Sequence, residues 1–234
     1  MNQSKITTLL EKVLKEIKPS KSEIKTVEGI INFTEKSLSS QLSDYQPEVM
    51  IGGSIAKDTW LRKAHDLDFF VRFDKKYEKE MEKALILAAK KVFKKVEVLH
   101  GSRDYIQVTY KGYTLEIIPV LKLKSPSQAK NSMDASPFHV KYVRNKIKKD
   151  LKLADEIRLF KAFAKAQNVY GAESYMEGFS GYSSELLVVC FKNFLNLAKE
   201  LEKAQPKVFL DPAKSYSSTS QIKSALPKSK LNSP

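Results

Sequence analysis

Gly52-Gly53-Ser54 is followed twelve residues later by Asp66-Leu67-Asp68, in the segment GGSIAKDTWLRKAHDLDFF. The glycines stand ahead of a helix start, and DLDFFVRF (66–73) reads as a strand. Successive strand side chains point to opposite faces, so Asp66 and Asp68 share one face and Leu67 takes the other. Paired carboxylates entering an apolar strand are costly unless they are ligated. Their repulsion raises one pKa unless a cation neutralises them. Divalent metals take oxygen ligands, and a backbone-lined turn at a helix N-terminus takes phosphate. The pattern points to metal-dependent phosphoryl transfer. The plain alternative is a pair of surface aspartates on an edge strand.

The flanking sequence predicts the layers around this feature. Residues 4–17 carry Ile6, Leu9, Leu10, Val13, Leu14 and Ile17 at helical spacing, and 21–43 carry a second helical pattern. Glu48–Ile51 is a short strand leading into the glycines, and 75–95 is a charged amphipathic helix. Strand-like runs follow at Val96–His100, Tyr105–Tyr110 and Tyr113–Val120, with Lys111-Gly112 as a hairpin turn. From 137 the pattern is helical, at 137–149, 155–168 and about 180–204, with a short strand at Val208–Leu210. The fold class is α/β (α+β), a mixed sheet followed by helices.

Charge sets the expected partner. The net charge is +14, and residues 121–234 supply +10 of it. Uneven basic charge argues for a polyanion, most simply nucleic acid. A merely lysine-rich composition is the alternative, since five of the 41 basic residues are arginine. No apolar run approaches the roughly 18–20 residues that span a bilayer, so no membrane is expected, and the location expected is cytoplasmic. Cys190, the single cysteine, sits in LLVVCF and reads as a core residue.

Glu116 is the third carboxylate candidate, because it interrupts the apolar run YTLEIIPV. From a neighbouring strand it would complete a two-metal site. An edge-strand Glu on the wet face is the other reading.

The segment GGSIAKDTWL, four residues, then DLDFFVRF resembles the archaeal class I CCA-adding enzymes, tRNA nucleotidyltransferases of the DNA polymerase β-like superfamily. Four later segments in order narrow it to this family: LEIIPVLKLK (115–124), SPFHVKYV (136–143), IRLFKAFAKAQNVYGAE (157–173) and GFSGYSSELLVV (178–189). The resemblance spans about 45 to 212. It implies a polymerase β-like catalytic head over 1–124, a helical neck over 125–212 and a Ser/Lys-rich flexible tail over 213–234. It implies transfer of CMP and AMP from CTP and ATP to the 3′ end of tRNA, with Mg²⁺, two ions in all. Asp66, Asp68 and Glu116 would hold the metals, and Glu116 stands where the family usually has aspartate. Gly53 and Ser54 would bind the triphosphate, with Lys57 near it. His139 falls on a triphosphate-contacting histidine, and Lys161 and Tyr170 on nucleotide-contacting positions. From the residues alone, His139 opens a helix whose N-terminus favours anions. Lys161 could instead lie on a solvated basic face with Arg158 and Lys165, and Tyr170 could serve packing.

Two departures bound these expectations. Asp211-Pro212 matches the end of the family's neck, yet no arginine follows Arg158, so selection of C and A is less secure than nucleotidyl transfer. The family's body and tail domains, which grip tRNA, have no counterpart here. A second polypeptide or a homo-oligomer is the expected completion. The competing expectations are a minimal nucleotidyltransferase acting on another RNA or nucleotide acceptor, and a non-catalytic RNA-binding subunit.

Overall fold

A computed structural model describes residues 3–101, 103–171, 178–203, 210–214, 216–218, 220, 221 and 224. The chain divides into two compact units, Glu16–Asn145 and a second made of Met1–Lys15 with Lys146–Pro234. The division falls at residue 145, later than the expected head boundary at 124. The predicted strand at Val208–Leu210 and most of the 213–234 tail lie outside the described residues.

The first unit is built on a sheet. Helix α2 (Lys21–Gln41) precedes it, while nearly all of α1 (Gln3–Ile17) belongs to the second unit. Ser20 caps α2 by accepting from the Glu23 N–H at 3.2 Å, while Glu23 accepts from the Ser20 N–H at 2.7 Å. This capping box satisfies two donors the helix end would orphan. Val27, Ile30, Thr34 and Leu38 fall on one face of α2 and are buried.

Next come β1 (Glu48–Ile51), the single turn α3 (Gly53–Ala56), β2 (Asp66–Phe73), α4 (Met81–Val92), β3 (Glu97–Leu99), β4 (Tyr105–Tyr110) and β5 (Tyr113–Leu121). Strand order is β1-β2-β5-β4-β3, with the β2–β5 pair parallel and the others antiparallel. Lys111 (φ 51°) and Gly112 (φ 80°) make the predicted hairpin turn, both central residues taking the positive φ of a type I′ turn. The helix expected over 75–95 is shorter: a 3₁₀ turn at Lys75–Tyr77 comes first, capped by Asp74, and α4 starts at Met81.

The two faces of the sheet differ. Leu67, Phe69, Val71 and Phe73 of β2, with Leu115, Ile117 and Leu121 of β5, join the main core with Ile30 and Leu38 of α2 and Met81 and Leu85 of α4. On the other face, Phe70 of β2 and Val120 of β5 pack with Val140. Val140 lies on α5 (Ser132–Lys149), so α5 covers that face at the C-terminal ends of the parallel pair. Asp66, Asp68 and Glu116 share this face by strand alternation, toward the strands' beginnings.

Helix α5 starts five residues before the expected 137. Proline is favoured at a first helical position. The cap is instead Asn131, whose Oδ1 accepts from the Asp134 N–H at 2.9 Å, and Pro137 lies inside the helix.

The second unit is helical, with α6 (Leu153–Ala166), α7 (Gly181–Phe191) and α8 (Phe194–Glu202). Leu153, Ile157, Phe160 and Ala164 of α6, Val188 of α7 and Leu197 of α8 are buried. The single helix expected over 180–204 is two. Lys192 takes a left-handed φ of 71°, and Asn193 caps α8 by accepting from the Asn196 N–H at 2.8 Å.

Candidate active site

The parallel pairing of β2 and β5 sets the site. Its register puts Asp68 opposite Glu116 and Asp66 opposite Thr114. On the other side of β5, the antiparallel pairing puts Gln107 opposite Glu116. Directly paired residues present side chains to the same face. Two carboxylates from β2, one from β5 and the Gln107 amide therefore share one surface. Gln107 Nε2 donates to Glu116 Oε1 at 3.3 Å. Glu116 is partly buried, and burial pushes its carboxyl up from the ordinary range. The Gln107 hydrogen bond opposes this, and the Asp66 charge adds to it.

The glycines meet these carboxylates at close range. The Gly52 N–H donates to the Asp68 carbonyl at 2.6 Å, tying the turn to β2. A Cβ on Gly52 would lie 2.4 Å from a ring carbon of Phe70. Gly53 has φ +53°, and a Cβ there would lie 1.7 Å from Asp68 Oδ2. Only glycine tolerates both the left-handed backbone and this approach. The Gly53 backbone thus abuts the Asp68 carboxylate, with Ser54 next in the turn. Lys57 follows α3 and is 7% exposed.

Among the described residues, no three His, Cys, Asp or Glu side chains converge as they stand on a point that could hold a metal ion. Glu116 turns to Gln107, and Asp68 lies against Gly53. The donor chemistry nonetheless fits a divalent cation: three hard carboxylate groups share one face. Burial, with a smaller contribution from the Asp66 charge, raises the Glu116 pKa, and a bound cation would offset both.

The remaining expected site residues are distributed over both units. His139 is partly buried, next to Val140. It lies two turns inside α5 and not at its start, which removes the helix N-terminus as its reason to meet anions. Lys161 is on α6 in the second unit. It is 2% exposed, and its Nζ donates to Glu185 Oε1 on α7 at 2.7 Å, so it does not lie on a solvated basic face. Tyr170 forms an isolated parallel bridge with Phe179, and the Lys165 ammonium lies 5.1 Å from its ring centroid. The Tyr170 hydroxyl comes within 3.0 Å of where a Gly181 Cβ would be, so that glycine makes room for it.

Sequence reading missed Gln107 and the buried pair Arg103–Asp134. Alternation in YIQVTY puts Gln107 opposite in direction to Ile106 and Val108, but its contact with Glu116 depends on register. Arg103 reaches Asp134 through Nη1 and Nη2, at 2.5 and 3.1 Å.

A mixed sheet with an acidic face beside a Gly-Gly-Ser turn defines the nucleotidyltransferase class. Residues 34–139 match the nucleotidyltransferase domain family, and 155–228 match the family described as tRNA nucleotidyltransferase, second domain. The chain is 44% identical over 188 residues to the CCA-adding enzyme of Nanoarchaeum equitans, covering 80% of this chain and 47% of that protein. It is 32% identical over 212 residues to that of Archaeoglobus fulgidus, covering 90% and 47%. The chain belongs to the archaeal CCA-adding enzyme family, of which it carries the nucleotidyltransferase head and the neck. It spans about half the length of these relatives. Among solved structures, the Cid1 poly(U) polymerase with Mg 3′-dATP bound shares the fold, with TM-score 0.66 and 18% identity over 81% of this chain and 56% of that one. Enzymes of this family generally use divalent metals.

Proposed function

We propose that this chain transfers CMP and AMP from CTP and ATP to the 3′ end of tRNA. The observation that carries the reading is the Asp68–Glu116 register, with Asp66 on the same face and the Gly53 backbone against Asp68. Asp66, Asp68 and Glu116 would hold two Mg²⁺ ions, which supply charge neutralisation at the triphosphate and lower the pKa of the attacking hydroxyl. The Gly53 and Ser54 backbone N–H groups and the Ser54 hydroxyl donate to the triphosphate. Lys57, His139, Lys161 and Tyr170 are proposed nucleotide contacts. The tRNA 3′ hydroxyl gives its proton to water, its oxygen bonds to the α-phosphorus, the bond from that phosphorus to the α–β bridging oxygen breaks, and pyrophosphate leaves. Gln107 restrains the Glu116 carboxylate, which stands where the family's aspartate would have a shorter reach.

The test is incubation of the chain alone with labelled CTP or ATP and tRNA lacking its CCA end. Incorporation that disappears in Asp66→Asn and Asp68→Asn supports the reading. Equal incorporation into unrelated RNAs would point to a broader nucleotidyltransferase. Tight RNA binding without turnover on any RNA would point to a non-catalytic subunit. Activity that appears only with a second polypeptide would identify a partner carrying the tRNA-gripping domains.

A further inference from the structure

The outer end of β4 is open. β3 pairs only with Tyr105–Gln107, so among the described residues no strand covers Val108–Tyr110 on that side. A cavity of about 450 Å³ fills the gap, lined by Val92, Phe93, Lys94, Lys95 and Tyr110 among others. Phe93 and Tyr110 form its aromatic wall, and Phe33 packs against both. Phe33 and Tyr110 stack with centroids 4.9 Å apart and planes 12° apart, and Phe93 meets both edge-on, at 6.2 and 5.9 Å. Phe33 keeps 36% of its surface exposed, and Tyr110 is partly exposed.

Basic charge surrounds this wall. Lys90, Lys91, Lys94 and Lys95 are exposed, and none has an acidic partner among the described residues. The Lys111 ammonium sits 5.6 Å from the Tyr110 ring centroid. Glu97 is the one acid among the lining residues. Lysines beside an open strand edge disfavour addition of another strand, so a protein segment is the poorer occupant. Free cations beside rigid aromatic rings match single-stranded nucleic acid, whose bases stack while its phosphates meet lysine.

We propose that this edge is a single-stranded RNA docking site, which meets the carboxylate face at Gln107. A base packs against the aromatic wall, and Lys94 and Lys95 meet the adjacent phosphates. The site stands whether or not the carboxylates transfer nucleotides, so the two readings fail separately.

The test is fluorescence anisotropy with a labelled oligouridylate of about twelve nucleotides, without nucleoside triphosphate or divalent metal, across a salt series. The variants are the double substitution Lys94→Ala with Lys95→Ala, and Thr109→Glu. All three positions are exposed, so the fold persists. Loss of two phosphate contacts lowers the salt slope by about 1.4 and weakens binding about 25-fold at 0.1 M salt. Thr109→Glu, in the lining of the cavity, weakens binding in the same direction. Unchanged affinity and slope in the lysine variant would overturn the proposal. So would an oligoglutamate peptide that displaces the RNA at equal concentration.

Discussion

Asp68 on β2 and Glu116 on β5 stand directly opposite each other in parallel register, and Gln107 faces Glu116 from β4. Backbone pairing sets this proximity, so a side-chain change at either position leaves the sheet intact. Asp68→Asn keeps the shape and removes the charge. It is expected to lower nucleotide incorporation about a thousandfold or more, the several kcal/mol that metal-borne charge stabilisation supplies. Glu116→Asp keeps the charge and is expected to stay within about tenfold of the parent, while Glu116→Gln falls with Asp68→Asn. Unchanged far-UV circular dichroism separates these losses from unfolding.

The same Glu116 carries a stability cost. Its folded pKa lies above the ordinary 4.5 because of burial, despite the Gln107 hydrogen bond and with Asp66 adding repulsion. An acid with a raised folded pKa destabilises the fold when ionised, and the penalty fades as pH falls through that pKa. Glu116→Gln is therefore expected to melt a few degrees higher than the parent near neutral pH without divalent metal. The gap should close below pH 4.5, and added Mg²⁺ should narrow it at neutral pH. Calorimetry at several pH values checks both.

Gly53 and Gly29 make a matched contrast. A Cβ at Gly53 meets a left-handed φ and the Asp68 carboxylate, whereas at Gly29, inside α2, it meets nothing within 4 Å. Gly53→Ala is expected to cost about 1–2 kcal/mol and to reduce activity with it, because Asp68 must move. Gly29→Ala is expected to add about 0.5–1 kcal/mol with activity unchanged. Urea denaturation of both variants gives the comparison.

Glu23 gives a second pH signature. Hydrogen bonds from Ser20 lead the causes that hold its carboxyl near about 2, below the ordinary 4.5. A depressed folded pKa contributes stability that is fully present above 4.5 and lost as pH falls toward about 2. Glu23→Gln should therefore destabilise the protein near neutral pH and cost less and less as the solution is acidified across that window. NMR titration of the Glu23 carboxyl measures the pKa directly.

The strands that carry the site are legible as short, largely apolar runs, and the carboxylates in Asp66–Phe73 and Tyr113–Leu121 stand out against that background. Glu48–Ile51, Asp66–Phe73 and Tyr105–Tyr110 have the predicted limits. Asp66, Asp68 and Glu116 stood out for that reason, and their common face follows from a two-residue period. Long-range pairing was not legible. Gln107 is an ordinary polar strand residue until β4 is aligned on β5. The start of α5 is not legible, because its cap, Asn131, is one of several polar residues in SPSQAKNSMD. The break between α7 and α8 rests on a left-handed Lys192, which no local sequence rule singles out. Lys161 reads as one of several lysines, and only the opposed Glu185 makes it a buried partner.

Arg103 and Asp134 test how the sheet's end is joined to α5. Arg103 Nη1 also donates to the Pro119 carbonyl at 3.1 Å, and Asp134 Oδ1 also accepts from the Leu121 N–H at 3.0 Å. The pair thus ties the approach to β4 and the first turn of α5 to the end of β5. Asp134 is fully buried and Arg103 is 8% exposed, so neither can turn to water when its partner is removed. Arg103→Leu is expected to cost about 3–5 kcal/mol, because it strands a buried carboxylate. Arg103→Lys should lie between Leu and the parent, since one ammonium cannot reproduce the two-pronged contact. The double variant Arg103→Leu with Asp134→Leu should recover part of the loss, since no charge is then stranded and the Leu121 N–H remains unpaired. Urea denaturation of the three variants decides it. A double variant as unstable as the sum of its single variants would show that the two side chains act independently.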